Sequence, residues 1–217
     1  MTGAAKQGKF IAFEGGEGAG KSTQVRLLAD ALNARGINTD VTREPGGTPG
    51  AEAIRTLLLD PPGEGWGSQA EALLFAAARA DHVARRIRPG LENGGWVLCD
   101  RFVDSSRAYQ GGAGGLGDRA ITALHDFGSD GLRPDLTILL EADEGRLRER
   151  VTERDGGASD AIGGRSAEYH RAVAASFRRL ADAAPDQFAT IDGNGSPDDV
   201  HRRILVALAP FLPSGGQ

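Results

Sequence analysis

Residues 15–22, which read GGEGAGKS, constrain this chain more than any other segment. Gly15, Gly20, Lys21 and Ser22 fit the pattern G-x-x-x-x-G-K-[ST]; an apolar run from Phe10 to Phe13 precedes the match, and a helical stretch from Lys21 to Arg35 follows it. A strand that turns through glycine into a helix leaves backbone N–H groups pointing at the turn, and the helix start adds positive potential. Such a loop is shaped to wrap phosphates, with Lys21 reaching the outermost group and Ser22 placed to ligate Mg²⁺. The bland alternative is a glycine-rich turn with no ligand, which the strand-then-helix context disfavours. Lysine usage points the same way. Of 25 basic residues only Lys6, Lys9 and Lys21 are lysine, so an arginine-biased chain keeps a compact ammonium at the one position where the motif asks for it.

The surrounding pattern is that of alternating strands and helices. Short apolar runs at Phe10 to Phe13, Ile37 to Thr42, Trp96 to Cys99, Leu136 to Leu140 and Phe188 to Ile191 predict five strands. Helical stretches are expected near Gly50 to Leu59, Gln69 to Arg88, Asp118 to Phe127, Glu144 to Glu153, Ala167 to Ala183 and Pro197 to Leu208. The fold class is therefore α/β, a mostly parallel five-stranded sheet with helices on both faces. Glycines at Gly46 to Gly50, Gly111 to Gly117 and Gly156 to Gly164 predict loops, and Met1 to Gly8 and Pro213 to Gln217 predict flexible tails. With 217 residues, 40% hydrophobic and 25% charged, the chain suits one domain over residues 1–217.

Composition also excludes classes of function. A formal net charge of −5 provides no global field for nucleic acid or an anionic membrane, so an anionic ligand must meet a local cationic site. There is no run of about 18 apolar residues and no apolar stretch near the start, which implies a cytoplasmic protein. The lone Cys99 rules out an internal disulfide and is expected in a strand as a small hydrophobe. His82, His125, His170 and His201 lack ligand or nucleophile spacing and are expected to be structural or on the surface.

A second motif sits at the end of the third predicted strand, where Trp96 to Cys99 runs into Asp100 and Arg101. An acid at a strand's carboxyl end beside a phosphate loop is placed to hold Mg²⁺; a simple strand-end ion pair is the alternative. Phe75 and Arg79 are four apart and share a helix face. Taken alone, Phe75 reads as core, Tyr109 as a packed loop aromatic and Arg43 equally as a phosphate ligand or a surface ion pair.

Together these segments resemble the thymidylate kinase family, P-loop enzymes that phosphorylate dTMP to dTDP with ATP. The resemblance rests on Glu14 to Thr23 (EGGEGAGKST), Thr42 to Thr48 (TREPGGT), Leu73 to Arg79 (LLFAAAR), Asp100 with Arg101, Ala108 to Gly112 (AYQGG) and Arg133 to Leu136 (RPDL). It spans most of the first two-thirds of the chain. It implies a P-loop kinase fold with a lid, ATP held by Gly15, Gly16, Glu17, Gly18, Ala19, Gly20, Lys21, Ser22 and Thr23, and Mg²⁺ held by Ser22 and Asp100. It further implies that Arg43 helps hold the acceptor, Phe75 stacks on thymine, Arg79 donates to a base carbonyl, Arg101 neutralises phosphate, Ser106 and Gln110 contact the thymine edge, Tyr109 crowds the sugar, and Glu17 meets the 3′-hydroxyl. The segment Ile191 to Gly195 is expected to border adenine. The phosphate loop contains no arginine, so a lid at about 150–165 is expected to supply one to the catalytic set of Lys21 and Arg101. Where the family lid carries an arginine after aspartate, this chain has Ala161 after Asp160, leaving Arg150, Arg154 or Arg165 as candidates. The apolar helix Gln69 to Arg88 is expected to be buried widely, either inside one subunit or in the homodimer that the family forms. The remaining alternatives are another nucleoside monophosphate or deoxynucleoside kinase and, from a different class, a nucleotide-dependent switch. TREPGG and AYQGG argue against the first. No Asn-Lys-x-Asp guanine signature supports the second.

Overall fold

The computed structural model describes residues 8–155 and 161–212; the side chains of 148, 149 and 152–155 lie outside that description. Five strands, β1 (Phe10–Gly15), β2 (Thr39–Arg43), β3 (Trp96–Asp100), β4 (Leu136–Glu141) and β5 (Phe188–Asp192), form one sheet in the order β2-β3-β1-β4-β5. Every pairing is parallel, which sharpens the mostly parallel expectation. The central strands are buried on both faces, so their residues divide by parity. Ile11, Phe13, Trp96, Leu98, Leu136, Ile138 and Leu140 face helices α1 (Lys21–Asn33) and α9 (Pro197–Leu208), while Phe10, Ala12, Val97 and Cys99 face the opposite layer. Cys99 is fully buried, and burial pushes its thiol well above the ordinary range, as befits a hydrophobic filler.

The opposite layer holds α2 (Pro49–Leu59), α3 (Ser68–His82), α4 (Arg88–Glu92), α5 (Val103–Ser106), α6 (Asp118–Ser129) and α8 (Ala167–Ala183); α7 (Glu144–Asp155) follows β4. Two departures from the expected pattern matter. The stretch Gln69 to Arg88 is not one helix: a π-helical turn at Val83–Ile87 separates α3 from α4, which Pro89 opens. The glycine-rich stretch beginning at Gly111 is not wholly loop, because a π-helix runs over Arg107–Ala113 directly from α5. Burial of Gln69 to Arg88 is also less complete than expected. Leu73 is 57% exposed and Ala77 lies on the surface, while Ala76 and Ala80 meet Gly128 of α6.

The strand order places β1 at a topological switch, with β3 on one side and β4 on the other. Chain leaving β1 therefore opens into a crevice at the carboxyl ends of the strands, the place where open α/β sheets take ligands. No helix among the described residues is long and apolar enough to cross a membrane. Leu28 anchors α1 beneath that crevice and is fully buried. Leu28→Ala should lower unfolding stability by about 2–5 kcal/mol, read as a fall in the urea midpoint at unchanged slope.

Candidate active site

The phosphate loop hangs between the end of β1 and the start of α1. Gly20 caps α1 in the left-handed region (φ 90°) and offers no side chain to satisfy the first-turn N–H groups, which stay available to an anion. A Cβ on Gly18, itself at φ 73°, would sit 2.4 Å from the carbonyl of Leu147, so the loop lies directly against α7. Lys21 Nζ donates to the carbonyls of Gly15 (3.1 Å) and Gly16 (2.7 Å) within the loop. Burial, with help from Arg101, pushes the Lys21 ammonium down to about 7, against the pull of Asp100, Glu14 and Glu17. Ser22 Oγ donates to Asp100 Oδ2 at 2.5 Å, bringing together a hydroxyl and a carboxylate. That pair of oxygens suits a hard cation that takes its other ligands from substrate phosphates and water, so the expected Mg²⁺ site fits the residues present. Thr23 faces the groove between α1 and β2 instead.

Arg101 follows β3 with a left-handed backbone (φ 69°), a conformation that costs a non-glycine residue strain. Its guanidinium donates to the Gly15 carbonyl (3.2 Å) and to Ser105 Oγ (3.1 Å), and stacks 5.2 Å from the centre of the Tyr109 ring. Burial opposes its charge, but Tyr109, Asp100, Glu14 and Glu17 together hold it above the usual arginine range. Glu14, fully buried at the end of β1, accepts from the N–H groups of Phe102 (2.8 Å) and Ser105 (3.0 Å) and from Ser105 Oγ (2.6 Å). Burial first, and then Asp104, push its carboxyl up to about 7.

Beside Arg101 opens a cleft lined by Glu17, Phe75, Arg79, Ser106, Tyr109 and Gln110, all expected at the acceptor site. Arg79 is buried; its Nε donates to Glu44 (2.7 Å) and one terminal nitrogen donates to Ser106 Oγ (3.0 Å) and the Phe102 carbonyl (3.2 Å). Glu44 is also 3.0 Å from His82 Nδ1, and His82 Nε2 is 2.7 Å from Thr42 Oγ1, so His82 is a buried structural residue. Tyr109 is buried with its hydroxyl in no well-formed hydrogen bond. The cleft floor and rim add Glu44, from the TREPGGT motif, and Ile162, from the expected lid, together with Leu59, Phe102 and Ser105; the sequence assigned none of these five an acceptor role. For one further residue, Glu71, a signal was available. Glu71, Phe75, Arg79 and His82 recur at helical spacing along one face of α3, so the acid belongs with the aromatic and the arginine.

Besides Thr23, two expected residues lie elsewhere. Arg43 is exposed, ion-paired with Glu52 (3.0 Å), and lines a separate groove with Ser22, Asp100, Arg26 and Arg86. Arg165 pairs with Glu71, donates to the Tyr169 hydroxyl (2.5 Å) and borders a pocket behind Gln110, away from the phosphate loop. Arg150, on α7, reaches the carbonyls of Gly18 (3.4 Å) and Gly193 (3.5 Å), so it lies over the phosphate loop. The side chain of Arg154, and Asp160 altogether, lie outside the structural description. Ile162 closes one side of the acceptor cleft, and Gly163 approaches the Glu17 carboxylate.

A parallel sheet with a glycine-lined anion loop at its switch point, joined by one arginine to a second cleft lined by an aromatic and polar side chains, defines a P-loop kinase. Comparison narrows the class. The family model for thymidylate kinase matches residues 13–204. A thymidylate kinase of Rhizorhabdus wittichii is 55% identical over 95% of this chain and 99% of its own, and one of Chromohalobacter salexigens is 49% identical over 95% and 98%. The crystal structure of thymidylate kinase from Ehrlichia chaffeensis superposes with a TM-score of 0.74 at 32% identity, covering 93% of this chain and 98% of that one. The chain belongs to the thymidylate kinase family.

Glu14 yields a pH test of this architecture. Because the folded protein holds the Glu14 proton more tightly than the unfolded chain, the carboxyl contributes stability that is fully present below pH 4.5 and is lost as pH rises through about 7. Urea titrations of wild type and Glu14→Gln at fixed pH values should therefore differ by an amount that shifts, between pH 5 and 8, by about 3 kcal/mol in the variant's favour.

Proposed function

We propose that this chain transfers the γ-phosphoryl group of ATP to dTMP, with Mg²⁺, by in-line displacement. The observation that carries the reading is Arg101, which donates to the phosphate loop at Gly15 and stacks on Tyr109 of the acceptor cleft. One guanidinium thus borders both the donor phosphates and the acceptor nucleoside. A phosphate monoester with a second pKa of about 6 is largely dianionic at neutral pH, so the acceptor needs no general base. The task left to the protein is positioning and charge stabilisation around a loose transition state. Lys21 and Arg101 supply cationic donors at the shared end of the two sites, and Arg150 of α7 takes the role that a lid arginine would have. Incoming phosphate oxygens would replace the Gly15 and Gly16 carbonyls at Lys21 and favour its charged form. Mg²⁺, held by Ser22 and Asp100, would neutralise and orient the donor's phosphate oxygens. The segment from Ile191 to Gly195, whose Gly193 carbonyl Arg150 reaches, is the proposed border of the adenine site. In the acceptor cleft Phe75 stacks on the base, and Tyr109 crowds the sugar position that a ribose hydroxyl would occupy.

The testing experiment is ADP release from Mg²⁺ and ATP with dTMP, dUMP, dCMP, AMP, GMP and thymidine offered separately. A strong response to dTMP and a weaker one to dUMP is expected, with Lys21→Ala abolishing turnover and Phe75→Ala raising KM for dTMP but not for ATP. A response confined to another monophosphate or to thymidine would overturn the acceptor assignment, and slow hydrolysis insensitive to every acceptor would favour a nucleotide switch.

We further infer a two-fold dimer through α3 and α6. Leu73 (57% exposed) and Phe127 (92% exposed) are large apolar side chains on these two packed helices, and such a face is normally covered. Light scattering on the eluting protein should give twice the chain mass, and Phe127→Asp should shift the population toward monomer.

A further inference from the structure

Gln110 Nε2 donates to Glu71 Oε1 at 2.8 Å, and both side chains are buried. The other Glu71 oxygen accepts from Arg165, whose guanidinium also donates to the Tyr169 hydroxyl at 2.5 Å and lies 4.7 Å from the centre of the Tyr169 ring. The Tyr169 hydroxyl in turn donates to the Tyr109 carbonyl at 3.0 Å, so the cation gripping Glu71 is itself anchored to the π-helix that carries Gln110. Glu71 is therefore held at both oxygens and cannot turn away from Gln110.

A carboxylate only accepts hydrogen bonds, whereas an amide has one donating and one accepting end. With Glu71 fixed beside it, Gln110 must present its NH₂ to the carboxylate, which leaves its carbonyl oxygen for the cleft that Gln110 also lines. Arg79, which lines the same cleft, is committed through Nε to Glu44 and through one terminal nitrogen to Ser106 and Phe102, and offers only donors. The base-reading wall thus presents one acceptor and one donor. Its complement is a pyrimidine edge with an imino N–H beside a carbonyl, as in thymine and uracil. Cytosine has a ring nitrogen acceptor and an amino group at those positions, and would leave two buried mismatches.

We propose that Glu71 is a specificity-determining positioning residue: it fixes the amide orientation of Gln110, and through it the rejection of cytosine nucleotides. This rests on the acceptor reading given above. Glu71 touches no substrate, so its effect must pass through Gln110.

The test is Glu71→Gln, which keeps the shape but supplies an amide able to donate to the Gln110 oxygen and so lets Gln110 turn its NH₂ into the cleft. Steady-state kinetics with dTMP, dUMP and dCMP should show kcat/KM for dTMP relative to dCMP falling by roughly tenfold or more. The ratio of dTMP to dUMP should stay within about twofold, because the two bases share the edge being read. KM for ATP should not move, and Glu71→Asp should recover part of the lost discrimination. If Glu71→Gln does not fold, Glu71→Ala is measured instead, since the pocket beside Trp66 can admit water in place of the carboxylate. A folded variant that keeps the wild-type ratio of dTMP to dCMP overturns the proposal, as does a loss that falls equally on dTMP, dUMP and ATP. A wild-type enzyme that does not prefer dTMP over dCMP overturns the acceptor reading itself, a separate and earlier failure.

Discussion

A single buried carboxylate ties the two halves of this site together. Glu14 ends the strand that feeds the phosphate loop, and it takes its three hydrogen bonds from Phe102 and Ser105, which begin the segment after β3. A parallel sheet by itself sets β1 beside β3 but leaves the loops beyond their ends free to splay. The Glu14 bonds remove that freedom across the switch point and set the segment carrying Arg101 against the loop carrying Lys21. Arg101 then adopts a left-handed backbone, and a strained residue of that kind persists only when its surroundings over-determine it. The contacts to Gly15, Ser105 and Tyr109 provide such surroundings.

Cationic chemistry in the crevice follows from the same enclosure. Lys21 and Arg101 are both buried; burial opposes the charge on each, and the guanidinium of Arg101 adds to the pressure on Lys21. The lysine yields and moves toward neutrality, while the arginine, intrinsically far more basic, stays charged. The protein keeps one permanent and one adjustable cation side by side at the phosphate loop.

Much of this was legible in the sequence because the relevant signals are local. The phosphate loop, the five apolar runs, and Asp100 with Arg101 are each read within a few residues, and the structure places them where such local patterns imply. Phe75 and Arg79 were linked by helical spacing, and the cleft gathers both with Ser106, Tyr109 and Gln110. What was not legible depends on contacts between distant segments. Glu44 carried no signal beyond its place in the TREPGGT motif, and only the structure shows it pairing with both Arg79 and His82. Arg165 and Arg150 are alike as sequence, yet one is captured by Glu71 from α3 and the other lies over Gly18. The π-helical turns escaped detection because helical periodicity over four or five residues does not distinguish a ring of one size from the next.

The π-helix at Arg107–Ala113 has a consequence for how this region can change. A π turn holds one more residue than an α turn, and the widened spiral brings neighbouring residues Tyr109 and Gln110 to the same cleft wall. Removing any single residue between Arg107 and Ala113 would let the segment relax to ordinary α spacing, which sets neighbouring residues about 100° apart around the axis and would part Tyr109 from Gln110. Substitutions here alter one contact at a time, but a change in length would scramble the whole wall at once. The count of residues in this segment is thus a structural character in its own right, on an equal footing with their identities.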